Sequence, residues 1–100
     1  MNQNDARAKL DEYRVQIDDV DRRIVALLNE RTSVVECIGS VKRDAQLPVY
    51  EPKREDQVFA NITACNQGPL TPEALRRIFE RIIDEMRSIQ RDRMVSDGEK

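Results

Sequence analysis

One hundred residues make a single domain's worth of chain, and 36% charged residues against 39% hydrophobic ones, with few Gly and Pro, describe a helical protein with a solvated charged face. A net charge of −2 built from interspersed signs, with 4% aromatics, gives no footing to nucleic acid, and the lack of histidine excludes serine–histidine triads and HExxH zinc sites. Two cysteines without metal-ligand spacing, no signal-peptide core in "MNQNDARAKLDEYR" and no apolar run of membrane-spanning length lead us to expect a soluble, cytoplasmic protein that does not span a membrane.

The first predicted helix covers residues 5–44. Steps of alternately three and four residues meet Leu10, Tyr13, Ile17, Val20, Ile24, Leu27, Arg31, Val34, Ile38 and Val41, all apolar or aromatic except Arg31. At 1.5 Å per residue such a helix is roughly 60 Å long, more than a small domain needs, so its apolar stripe calls for a partner chain. Pro48 and Pro52 in "QLPVYEP" break the pattern and bias Leu47 and Glu51 away from helix. A second helix is predicted over 52–66, with Val58, Phe59, Ile62 and Cys65 on one side and Gly68 as its C-terminal cap. Cys37 and Cys65 both fall in apolar-periodic segments and are expected to be buried thiols. In "NQGPLTP", Thr71 is placed to cap a third helix with Pro72 in its first turn and Glu73 favourable to its dipole. That helix is predicted over 72–94, on Leu75, Ile78, Phe79, Ile82, Ile83, Met86 and Ile89, with 95–100 as a disordered tail. The fold class is all-α: three helices, long, short and medium.

Several polar residues fit two readings. Arg31, on the apolar seam, either sets register in a coiled coil or holds an anion, since no acid occupies a neighbouring seam position to pair with it. Lys42 lies eleven residues on, within about 20° of the same face and roughly 16 Å up the axis, so the two side chains could converge on a small dianion or simply be solvated. Arg14 is seventeen residues before Arg31, roughly 25 Å away, and reaches such a ligand only from an antiparallel partner chain. Glu51, Arg54 and Glu55 open the second helix, suiting either capping and surface pairing or a hydroxylated anion at the helix N-terminus. Gln90 is an amide on the apolar stripe of the third helix, one turn past Met86.

In order and spacing, "LDEYRVQIDDVDRRIVALLNER", "IGSVK", "LPVYEPKRE" and "GPLTPEALRRIFERIIDEMRSIQ" resemble the all-helical chorismate mutase family, the AroQ type, from Leu10 to Arg91. The resemblance implies an intertwined homodimer and the pericyclic rearrangement of chorismate to prephenate in phenylalanine and tyrosine biosynthesis, with no cofactor. It implies that Arg31 and Arg14 of the partner subunit hold the two carboxylates. Lys42 would bridge carboxylate and ether oxygen, and Gln90 would donate to that oxygen. Glu55 would take the ring hydroxyl, helped by the backbone near Glu51 and buttressed by Arg54, with Ile38 and Ile83 as apolar walls. Two positions depart from the family pattern: Glu51 stands where an aspartate is expected, and Met86 where some relatives carry a small polar residue near a carboxylate. An isochorismate pyruvate-lyase of the same fold and a non-catalytic dimerisation or regulatory module are the alternatives.

Overall fold

The three-and-four spacing of apolar side chains is the period of an α-helix, and three helices form. The structure, a computed structural model, describes residues 1–98, with side chains as far as Val95. Helix α1 spans Gln3–Ala45, α2 Pro52–Cys65 and α3 Pro72–Gly98. Helix α1 starts two residues before the expected Asp5 because Asn2 caps it, its Oδ1 accepting the Asp5 N–H at 2.8 Å. Helix α3 runs past the expected end at Met94, since nothing between Val95 and Gly98 interrupts a helix. Residues 95–98 of the predicted tail are therefore helical, and Glu99 and Lys100 lie outside the described residues.

The chain divides into two units. The first, Met1–Ser33, consists of the N-terminal part of α1. Its apolar stripe faces solvent in the single chain: Tyr13 is 60% exposed and Leu27 63%.

The second unit begins at Val34 and holds the rest of α1, α2 and α3. Its buried apolar centre is Val35 from α1 with Ile83 and Met86 from α3. Burying a side chain of that size contributes about 1.5–3 kcal/mol. Helix α2 packs on α3, where the Arg76 guanidinium lies 4.0 Å from the Phe59 ring centroid. At Gly39 α1 lies close to α3, where a Cβ would stand 3.4 Å from both Cα and O of Gln90.

The turns set where the polar residues go. Helix α1 ends with Gln46 at φ 57°, its N–H on Arg43 O at 3.2 Å and the Leu47 N–H on Lys42 O at 2.7 Å. That is a Schellman closure with glutamine where glycine is usual. Glu51 is the N-cap of α2, yet its side chain makes no capping bond. Gly68 does not cap α2 as expected: the helix closes at Asn66, whose N–H bonds Thr63 O. Gly68 instead takes φ 74° in the following loop, where the Asn66 side chain accepts its N–H at 3.0 Å and donates to Leu70 O at 2.9 Å. The Gly68–Pro69 peptide is cis. Thr71 caps α3 as expected, its Oγ1 accepting the Ala74 N–H at 3.2 Å. Both cysteine thiols are exposed in the single chain, contrary to the expectation of burial: Cys37 lies off the packed side of α1, and Cys65 ends α2. No helix among the described residues is long and apolar enough to cross a membrane.

Candidate active site

Lys42 sits in the last turn of α1, and its whole residue is only 7% exposed. An ammonium taken out of water needs an acceptor for each of its three protons, and three are present. Nζ donates to Val49 O at 2.9 Å and to Gln90 Oε1 at 3.0 Å, and lies 2.8 Å from Glu51 Oε1. Each acceptor is delivered by a local feature already described. The Schellman turn folds the chain back so that Val49 and Glu51 return over Lys42. The close approach of α1 to α3 at Gly39 puts Gln90 within reach. Glu51 precedes Pro52 and has a non-helical backbone (φ −129°, ψ 88°), and its carboxylate goes to the lysine in place of the helix cap.

The bond to Lys42 also orients Gln90. With Oε1 accepting from the ammonium, the amide NH2 points away from it, a donor left for something else. The lysine charge and this amide donor are therefore presented side by side on rigid elements.

One face of α2 carries a second polar group. Both oxygens of Glu55 accept from Arg87 Nη2 of α3, at 2.7 and 2.6 Å, with the two side chains about a quarter exposed. Asp84 lies 3.6 Å from Arg87 Nη1, and the guanidinium stands 5.0 Å from the Tyr50 ring centroid. The Glu55 hydrogen bond, with the charges of Glu55 and Asp84, raises the Arg87 pKa above its ordinary value against the opposing effect of burial. Arg87 Nε is buried and makes no hydrogen bond among the described residues.

Of the residues anticipated from sequence, the second unit thus brings Lys42, Glu51 and Gln90 into direct contact. Ile83 and Met86 are buried on α3, Met86 one turn before Gln90. Ile38 is 41% exposed, so in the single chain it is at most one side of an apolar wall. Arg54 is exposed and reaches along its own helix to Gln57 Oε1 at 3.4 Å. Glu55 meets Arg87, which sequence reasoning passed over. In the N-terminal unit, Arg14 is exposed and lies 3.4 Å from Asp11, and Arg31 is half-buried. The overlooked Arg87 had one visible signal: it lies four residues after Ile83, about 40° round the helix, which puts its stem at the edge of the buried stripe.

A chain of three helices that buries a lysine against an amide and a carboxylate defines an all-α protein with a buried polar cluster centred on Lys42. The model of the family chorismate mutase type II matches residues 13–91, and the chain belongs to that family. A chorismate mutase (form II) of Thermus thermophilus superposes with a TM-score of 0.81 at 35% identity, over 83% of this chain and 94% of that one. A bifunctional chorismate mutase/prephenate dehydratase of Aquifex aeolicus is 37% identical over 87 residues, 83% of this chain but 24% of that protein. The chain thus spans about a quarter of that relative's length. A 4-amino-4-deoxychorismate mutase of Streptomyces pristinaespiralis is 31% identical over 91 residues, 89% of this chain and 70% of that protein.

Proposed function

We propose that the protein catalyses the rearrangement of chorismate to prephenate, as a homodimer in which each chain lends Arg14 to its partner's site. Family membership supports the reaction, and the observation that carries it is Lys42: a nearly buried ammonium tied to an amide whose own donor is left for a ligand.

A Claisen-type rearrangement forms one carbon–carbon bond as one carbon–oxygen bond breaks, with no proton transfer and no covalent intermediate. A protein can accelerate it in two ways. It holds the enolpyruvyl ether over the ring in a chair, which is catalysis by orientation. It also meets the negative charge developing on the ether oxygen with donors already in place. Lys42 and the Gln90 amide suit the second task because both are held by α1 and α3 and need little reorganisation. Glu51, half exposed, pairs with the ammonium and can turn to water when a substrate carboxylate takes its place. Arg31 and Arg14 of the partner subunit complete the carboxylate clamp in this reading, Arg54 buttresses it, and Ile38 and Ile83 bound the ring. The exposed apolar stripe of residues 10–27 supports the dimer, since that much apolar surface along one helix face wants a cover.

Glu55 accepts a hydrogen bond from the ring substituent. In chorismate that group is a hydroxyl; the name of the Streptomyces relative raises a ring amine instead.

Incubation with chorismate, following loss of substrate absorbance and appearance of prephenate, tests the proposal. Parallel incubation with isochorismate, following salicylate and pyruvate, separates mutase from lyase. Unchanged chorismate across pH and protein concentration overturns the reading.

A further inference from the structure

The Glu55–Arg87 pair is not needed to clamp carboxylates or to stabilise an ether oxygen, and it costs the protein a buried guanidinium nitrogen without a hydrogen bond. Its consequence lies in the charge seen by whatever meets Glu55. A bare carboxylate binds a cationic ammonium more strongly than a neutral hydroxyl, because the ionic bond adds a net Coulomb attraction to the hydrogen bond. Arg87 removes that advantage. One Nη2 group spans both Glu55 oxygens, so each oxygen keeps a lone pair free to accept from a ligand, while the pair as a whole carries no net charge. A hydroxyl loses little in this arrangement. An ammonium placed on Glu55 sits a few ångströms from the guanidinium and is repelled by it. Asp84 lies beside Arg87 Nη1 but is 60% exposed, so solvent screens its compensating charge. Tyr50 packs over the guanidinium and holds it in position.

We infer that Arg87 is a specificity-determining residue, which makes Glu55 an acceptor for a neutral ring hydroxyl and discriminates against a substrate carrying a ring ammonium. The inference rests on the reading above that Glu55 meets the ring substituent. Arg87 itself touches no substrate; it acts through the carboxylate it holds.

The test compares kcat/KM for chorismate and for its 4-amino-4-deoxy analogue, whose aliphatic amine is protonated at neutral pH. The parent protein should prefer the hydroxyl substrate by at least about a hundredfold, as expected where a site discriminates by charge and hydrogen bonding together. Arg87→Gln should lower the hydroxyl activity by about tenfold, mainly through kcat as Glu55 loses its fixed orientation, and raise the amine activity by about tenfold, mainly through KM. Arg87→Lys restores the cation and should keep the parent's ratio within about threefold. A purely structural arginine gives a different result: both substrates fall by the same factor in Arg87→Gln, and that overturns the inference. So does a parent that uses both substrates equally well, an outcome independent of how any variant folds. Glu55→Gln separates the two levels. If it leaves the substrate ratio unchanged, Glu55 does not meet the ring substituent and the underlying reading fails. If it shifts the ratio while Arg87→Gln does not, the reading stands and the role of Arg87 is refuted.

Discussion

Lys42 is the residue on which structure and chemistry meet. Its three bonds explain how a cation can be buried in a small helical unit, and the same bonds specify what its loss does. In Lys42→Met the volume is kept while Val49 O and Gln90 Oε1 lose a donor, a cost of about 1–3 kcal/mol per acceptor left buried and unpaired. Glu51 adds little to that cost, since half its side chain is already in water. We therefore predict a folded variant with a lowered Tm and a kcat reduced by at least about 10²–10³-fold, the range for removing one preorganised donor from a developing oxyanion. Calorimetry together with the chorismate assay checks both halves; a fully active Lys42→Met excludes the lysine from catalysis. Gln90 gives a prediction with a sign. In Gln90→Glu the new carboxylate pairs with Lys42 and can donate to an ether oxygen only when protonated, so activity should rise as pH falls until the protein unfolds. A pH profile parallel to the parent's refutes the donor role. Arg87, by contrast, has its pKa raised above an already high ordinary value, so the guanidinium keeps its charge until pH rises through that raised value. It contributes nothing to either pH profile. These residues were unequally legible. Lys42 and Gln90 were visible as polar groups on apolar faces, whereas Arg87 reads in "EMRSIQ" as one more surface charge. Only the packing of α2 on α3 reveals that its guanidinium meets Glu55.

At the scale of elements, helix existence was readable because apolar period is a property of the sequence itself, and helix ends less so because closure depends on which polar groups happen to meet. Thr71 before a proline capped α3 as local chemistry dictates. Gly68 misled: the Asn66 side chain organises the loop, and α2 closes two residues before the glycine. The close of α1 carries the site, because the reversal at Gln46 brings Val49 and Glu51 back to Lys42. Nothing in "DAQLP" announces a left-handed residue, and glutamine is strained there, since its Cβ crowds the neighbouring carbonyl. Replacing it with glycine relieves that strain and gives up some unfolded-state entropy in return. Gln46→Gly is expected to gain about 0.5–1 kcal/mol in urea unfolding with activity unchanged. A loss of stability would mean that the glutamine side chain makes a contact worth more than the strain. Position 39 should behave oppositely. Alanine there meets Gln90 at van der Waals distance and is tolerated, while Gly39→Leu forces α3 away, lengthens the Lys42–Gln90 bond and lowers activity more than Tm.

At the scale of the whole molecule, the residues that face solvent in the single chain define the test. Tyr13, Ile17 and Leu27 lie on one helix face and are each more than half exposed, which a partner copy would cover, so the Tm should rise with protein concentration as it does when folding and association are linked. The site-sharing proposal goes further. Arg14 and Arg31 stand seventeen residues apart on one helix, about 25 Å, too far for both to grip one small ligand from the same chain. If each site takes Arg31 from one chain and Arg14 from the other, Arg14→Ala and Arg31→Ala homodimers are both nearly inactive, because every site lacks one arm of the clamp. A mixed dimer redistributes the damage. One of its sites receives both substitutions; the other combines Arg31 of the Arg14→Ala chain with Arg14 of the Arg31→Ala chain and is intact. Random reassortment of equal amounts makes about half the dimers mixed, so about a quarter of all sites should recover, by the symmetry of a two-fold dimer. The two inactive proteins are unfolded together, refolded and assayed with chorismate, with mass spectrometry counting mixed dimers. Recovery near that fraction requires a site assembled from two chains, whereas activity no higher than that of the separately refolded variants, in a sample where mixed dimers are present, assigns both arginines to the same chain or to neither site.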